Sequence, residues 1–378
     1  MKICLSMIVK NEAKVIERCL KSVLPFIDCW AIVDTGSTDG TQEIVKKLLG
    51  HLPGELNERK WQDFATNRNQ ALHLAKRFGD YALVIDADEE LRVEGVFEIL
   101  REAGYYLDVI FGNAIYKRVA IVDLVEPWNW KGVLHEVLVH PTFQTTTSLP
   151  YASILVHTEG ARSSQDQRTK FLKDSEVLLE ELLKDPNNAR YQFYYAQSLR
   201  DAGELKRAAK AYEKRVEMGG WGEERYIAQL ERAKLLERLD EPFEGVVGAY
   251  LLAYEIRPGR AETMCELARY CRLQEKFELG YMFSWGVGTF AKTDDILFVD
   301  QSVYDWRLRD EMAINAYWTG RYAVCEGICA SLLGHPRLPE AQRSRIQDNL
   351  NFARQHLHEQ QLSHTTKSEH DAKEAGIA

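Results

Sequence analysis

Several things are missing from this sequence, and each absence closes off a class of function. Its seven cysteines (Cys4, Cys19, Cys29, Cys265, Cys271, Cys325 and Cys329) form no CxxC pair, so neither a disulfide framework nor a zinc-site spacing is present. Cys325 and Cys329 stand four apart, which on a helix makes them two small apolar residues of one buried face. A reducing cytosol suits such a set. No stretch approaches the ~18 uninterrupted apolar residues of a membrane-spanning helix. The apolar start, Ile3–Val9, meets Lys10-Asn11-Glu12 at once, too early for a secretory signal, so a cytoplasmic protein is expected. Basic charge is also short. The net charge is -9, which argues against a chain that wraps nucleic acid. Nor does a glycine-rich phosphate loop with its lysine or arginine follow the first apolar run, which leaves a nucleotidyltransferase without support.

What is present fits two domains and a tail within 378 residues. Ile3–Val9 reads as a buried strand, residues 11–24 as an amphipathic helix stopped by Pro25, and residues 29–33 as a second strand. Helices over Thr41–Leu49 and residues 67–78 follow, then a strand over 81–85. This alternation predicts a parallel α/β sheet whose ligands lie beyond the carboxyl ends of its strands. Residues 105–160 are rich in β-branched and aromatic side chains and read as antiparallel strands. From about residue 165 the pattern turns helical. Ala196 with Gly203 and Ala208, then Ala233, then Ala268 mark steps of 37 and 35 residues, and Ala313 with Gly320-Arg321-Tyr322 marks a fourth unit after an insertion. The tetratricopeptide period is ~34 residues. The expected organisation is a catalytic domain over 1–162, helical repeats over 163–357 and a disordered tail over 358–378.

The sharpest chemical feature is Asp86-Ala87-Asp88-Glu89 directly after the apolar run 81–85. Carboxylates two apart at a strand end can hold a hard divalent ion, and such an ion can neutralise a leaving diphosphate. The plain alternative is a solvated acidic loop. Asn11 and Glu12 follow the first strand; they either cap the next helix or face a nucleoside. In Asp34-Thr35-Gly36-Ser37-Thr38-Asp39-Gly40-Thr41 the glycines permit tight turns, and Ser37 or Asp39 can cap a helix.

Taken together, residues 5–12, 32–41, 61–71 and 84–89 resemble the family 2 glycosyltransferases, whose fold is GT-A, a Rossmann-like nucleotide-diphospho-sugar transferase sheet. The resemblance covers about residues 1–160. It implies a nucleotide-sugar donor, most simply a UDP-sugar, with Mn²⁺ or Mg²⁺. Val9, Asn11, Glu12, Asp34, Thr35 and Asp39 would then lie around the nucleoside, Arg68 at the base or diphosphate, Asp86 and Ala87 at the ribose or metal, and Asp88 as main metal ligand. Asp34-Thr35 departs from the two adjacent aspartates of many relatives. Trp130 to Glu136, Ser148-Leu149-Pro150 and Val156 to Gly160, followed by helical repeats, resemble the tetratricopeptide-bearing branch, which includes peptide S-glycosyltransferases acting on bacteriocin cysteines. Inverting transfer needs a carboxylate to take the acceptor's proton. Glu136 is the first candidate, ahead of Asp123 and Glu126; His135 would orient it or the acceptor, and His157 would be a further metal ligand. Trp61, Trp128 and Trp130 are candidates for stacking on a sugar face or for core packing. The repeats suit a peptide or protein acceptor or a homodimer. A glycan or small-molecule acceptor, or a catalytically inactive repeat scaffold, are the competing readings.

Overall fold

The computed structural model describes residues 1–97, 99–142, 147–160, 166–285 and 292–374. It falls into two compact units, Met1–Leu239 with Ile296–Val299, and Asp240–Asp295 with Asp300–Ala378. The expected boundary at 162/163 lies outside the described residues.

In the first unit the order is β1 (Ile3–Val9), α1 (Ile16–Val23), β2 (Cys29–Asp34), α2 (Thr41–Leu49), β3 (Gly54–Glu58), α3 (Phe64–Ala75), β4 (Tyr81–Val84) and β5 (Glu89–Val93). Then come β6 (Gly104–Phe111), β7 (Ala114–Asp123), β8 (Asn129–Lys131), β9 (Val137–Val139) and β10 (Thr147–Val156). The main sheet runs β3-β2-β1-β4-β7-β6-β10-β5, while β8 and β9 form a separate ribbon. Strands β3, β2, β1 and β4 are parallel; β4 then meets β7 antiparallel. This parallel half with a mixed extension is the α/β GT-A layout expected from the sequence. The period-2 alternation of β1 sets its layers. Ile3, Leu5, Met7 and Val9 join Ile16 and Leu20 of α1 and Val45 and Leu49 of α2. Cys4 faces the other way and, with Ala31 and Ala82, packs on Leu72 and Ala75 of α3. Small residues on that face let the helix approach closely; a Cβ at Gly79 would lie 2.7 Å from Cys4 Cβ.

Four local readings shift. The first helix begins at Ile16 rather than at residue 11, because Asn11 is left-handed (φ 57°) and the amides of Glu12 and Ala13 bond the Thr41 and Asp39 side chains. The third helix begins at Phe64, where Asp63 caps it by accepting from the Thr66 amide. Strand β3 was not anticipated; its sequence, Gly-Glu-Leu-Asn-Glu, carries almost no apolar signal and is an edge. Finally, the 105–160 region is not wholly antiparallel, since β10 runs parallel to β6.

Helices α4 (Gln167–Lys184), α5 (Ala189–Asp201), α6 (Leu205–Glu217) and α7 (Gly222–Arg238) complete the first unit, each packed on the next. The second unit holds α8 (Phe243–Ile256), α9 (Glu262–Leu273), α10 (Phe277–Ser284), α11 (Leu308–Trp318), α12 (Tyr322–Leu333) and α13 (Glu340–Glu374), again packed in sequence. The periodic alanines fall where the repeat reading puts them. Ala196, Ala233, Ala268 and Ala313 lie on α5, α7, α9 and α11, and all are fully buried, as is Ala208 on α6. A methyl group at these points allows close helix crossing. Asp295, in the insertion between α10 and α11, is tied back to the start of α9, where buried Arg260 bonds both Glu262 and Asp295. Helix, rather than irregular chain, continues past His358 to Glu374; that stretch has no glycine or proline to stop it. Among the described residues no helix is long and apolar enough to cross a membrane.

Candidate active site

Register brings the motifs together. Val9 lies beside Asp34 at the carboxyl ends of β1 and β2, and β4, ending just before Asp86, pairs on the other side of β1. The first two loops are tied to each other by side chain–backbone bonds. Asp34 is fully buried; its Oδ1 accepts from the amides of Gly36 and Ser37, each at 2.7 Å. Its Oδ2 is buried with no hydrogen-bond partner. Thr35 donates to Val9 O through its amide and its hydroxyl. Asn11 accepts from the Thr38 amide at 2.8 Å and gives its own amide to Ser37 Oγ at 2.9 Å. Asp39 bonds the Thr41 amide and hydroxyl and the Ala13 amide. Ser37 therefore bridges the loops rather than capping α2, while Asp39 does serve its first turn.

The loop after β4 is held differently. Arg68, on α3, reaches Asp86 Oδ1 at 2.7 Å and Glu136 Oε1 at 2.6 Å, and its guanidinium lies 5.0 Å from the Trp130 ring centroid. Arg118, on β7, grips Glu89 with two nitrogens at 3.0 and 2.7 Å and stands 3.9 Å from Asp86. Burial opposes ionisation of Asp86, yet Arg68 and then Arg118 outweigh it and hold its carboxyl below the usual range. Burial likewise works against the charge on Arg68, and Asp86 and Glu136 more than restore it. Asp88 has the opposite fate. Burial, then the charges of Asp86 and Glu89, push it up to about 6. Gly160 is pressed against it: a Cβ there would sit 2.8 Å from Asp88 Oδ2. Ala87 turns its methyl into the core, so only its backbone can serve a ligand.

The remaining candidates divide. Glu136 joins the cluster through Arg68. His135 precedes it at φ 51° and stacks on Tyr194 at 3.9 Å and 4°. His157 gives its amide to Asp88 O at 3.1 Å, but its ring bonds Glu90 at 3.0 Å. Among the described residues no three His, Cys, Asp or Glu side chains are already gathered as a metal cage. Asp123 pairs with Tyr81 at the amino end of β4, the far end from Asp86, and Glu126 is bonded to His140. Trp130 faces Arg68, Trp128 is core with its indole bonded to Ala103 O, and Trp61 is 43% exposed against Phe64. Arg118 and the contribution of α5 were not anticipated; in the sequence Arg118 stands beside Lys117 in β7 and looks like an ordinary strand charge.

Carboxylates and arginines thus gather at the carboxyl ends of the parallel strands, where ligands of such sheets bind. Residues 4–157 match the profile described as Glycosyl transferase family 2, and tetratricopeptide-like helices follow them. The chain is similar to a TPR repeat-containing protein of Synechococcus elongatus, 40% identical over 99 residues, 26% of this chain and 23% of that protein. It is 26% identical over 209 residues to the SPbeta prophage-derived glycosyltransferase SunS of Bacillus subtilis, covering 51% of this chain and 48% of that one. It thus matches half or less of the length of these relatives. Among solved structures, a tetratricopeptide repeat protein from Parabacteroides merdae is 15% identical over 52% of this chain and 74% of its own, with a TM-score of 0.37.

Proposed function

We propose that the chain is an inverting glycosyltransferase that takes a sugar, with UDP-hexose as the donor class, to a peptide or protein side chain. The observation that carries this reading is the unequal carboxylate pair after β4. Asp86 is neutralised by Arg68 and Arg118, while Asp88, two residues on, is half-buried among like charges and pushed up to about 6. A carboxylate in that position suits a hard cation, and Gly160 keeps side-chain atoms away from its Oδ2. Asp88 and Asp86 would hold Mn²⁺ or Mg²⁺, with His157 joining only by leaving Glu90. Bound there, the ion would offset charge on the departing diphosphate.

The chain's own groups supply the rest. The unpartnered Oδ2 of Asp34 can accept from a nucleoside donor group, with Val9, Glu12 and Thr35 around it. Arg68, with Nε on Glu136 and Nη2 on Asp86, has Nη1 and a permanent charge to turn toward a phosphate. In the transfer, the acceptor atom forms its bond to the sugar's C1 as the C1–diphosphate bond breaks on the opposite face, and the acceptor proton passes to Glu136. Oε1 of Glu136 is taken by Arg68, which leaves Oε2 to receive it. The cysteines, all free and buried, support a reducing compartment such as the cytoplasm. Calorimetric titration with UDP, with and without Mn²⁺, on the protein and on Asp88→Ala tests the proposal. Metal-dependent binding that the substitution abolishes is expected; silence with UDP and other nucleotides would bring the inactive-scaffold reading forward.

A further inference from the structure

We infer that α5, the helix carrying the first repeat alanine, is a positioning element for the proposed base: Arg190, Tyr191 and Tyr194 hold the 132–136 turn that places Glu136 on Arg68. The inference rests on the reading of Glu136 given above. It begins from a strained turn. His135 is a non-glycine residue at φ 51°, a left-handed conformation that crowds an L residue's Cβ against the following carbonyl. Such a residue persists where its surroundings over-determine it. Residues of the first two turns of α5 supply several such contacts here. Arg190 donates to His135 O from Nε at 3.2 Å and from Nη2 at 2.9 Å. The imidazole of His135 lies flat on Tyr194, and Arg190 lies 4.9 Å from the Tyr194 ring centroid, so imidazole and guanidinium share one phenol ring. The hydroxyl of Tyr191 accepts from the Val133 amide at 3.2 Å. Gly132 itself lies at φ 111°, where L side chains are strained, and a Cβ there would sit 3.3 Å from Glu136 Cα, so the position suits glycine.

The other end of the turn is fixed by α3. Asn69 accepts from the Trp130 amide at 2.8 Å and donates to Trp130 O at 3.0 Å, as a neighbouring strand would. The chain from Trp130 to Glu136 is thus pinned by α3 on one side and α5 on the other. Glu136 meets Arg68 only because both pins hold. A group two or three bonds from a strained backbone moves when that backbone relaxes, and displacements of about 1 Å are enough to cost catalysis around 100-fold. The repeat helices therefore enter the chemistry as part of the scaffold for Glu136, in addition to any acceptor they bind.

The test uses the full chain, with Tyr191→Phe, Tyr194→Leu and Tyr194→Phe, and two readouts. Amide hydrogen exchange of the 132–138 segment is expected to quicken about tenfold or more in Tyr194→Leu and by less in Tyr191→Phe, while segments in β1 and β2 keep their protection. Tyr194→Phe keeps the ring and is expected to restore protection. In a His135→Gly background, where the left-handed turn is no longer strained, Tyr194→Leu should change exchange little, a coupling that a merely destabilised fold would not show. The second readout is UDP release from UDP-sugar with Mn²⁺, with water taking the sugar and giving its proton to Glu136: kcat is expected to fall about tenfold in Tyr194→Leu with donor KM within about threefold, because the turn acts on the base rather than on the donor site. Unchanged exchange of 132–138 in a folded Tyr194→Leu would overturn the inference, as would faster exchange with kcat unaltered. If the unsubstituted protein neither binds UDP nor releases it from UDP-sugar, the proposed function fails by itself, and the exchange pattern alone decides whether α5 holds the turn.

Discussion

The loops after β1 and β2 and the cluster after β4 face the same side of the sheet but are built by different means. The first region is made of short-range turns and hydroxyl, amide and carboxylate bonds to backbone, such as Asp34 to Gly36 and Ser37. The second is made of ion pairs between residues far apart in the chain, such as Arg68 with Glu136. Local turns keep their shape with little help. A charge cluster keeps its shape only while every member is present, since removing one buried charge strands its partners. The first region should therefore be robust and the second brittle.

Substitutions can break that contrast, and the largest effect is expected at Arg68. Arg68→Ala leaves Asp86 and Glu136 without their shared cation and should lower unfolding free energy by about 3–5 kcal/mol, read from urea denaturation. A loss below about 1 kcal/mol would mean that the cluster relaxes as easily as a surface loop. Asp34→Ala removes two bonds to turn amides and should cost about 1–3 kcal/mol, together with most UDP binding. At Asp88 the sign reverses. Its folded value of about 6 lies above the ordinary carboxylate value, so ionisation opposes folding. The native protein holds its proton more tightly, and metal-free stability should fall as pH rises from about 4 to 6. Asp88→Asn should therefore gain about 1–2 kcal/mol at pH 7–8, with the gain vanishing below about pH 4. Mn²⁺ should narrow the difference by stabilising only the unsubstituted protein. Thermal melts across pH with chelator and with metal measure both. The smallest effect is expected at Asp39, near the surface, where Asp39→Ala should cost about 1 kcal/mol and leave UDP binding within a few-fold.

Much of this was legible because it was local. The glycines and hydroxyls of 34–41 announce a turn, the apolar run before Asp86 announces a strand end, and the periodic alanines from Ala196 to Ala313 announce paired helices. Strand β3 escaped because an edge strand need not be apolar. The start of α1 was misplaced because Asp39 and Thr41, distant in sequence, take the amides that would have begun it. Arg118 and the tyrosines of α5 escaped for a stronger reason. Nothing near Arg118 in the sequence indicates that Glu89 is its partner, and nothing near Tyr191 indicates Val133.

The sequence by itself determined the alternation of elements, the turn chemistry, the acidic motif after β4 and the repeat period, since each depends on residues a few positions apart. Only the tertiary structure decided that Asp86 is neutralised while Asp88 is pushed up, and that α5 bonds the turn before Glu136. Those outcomes depend on burial and on distances between charges, and neither is a property of neighbouring residues.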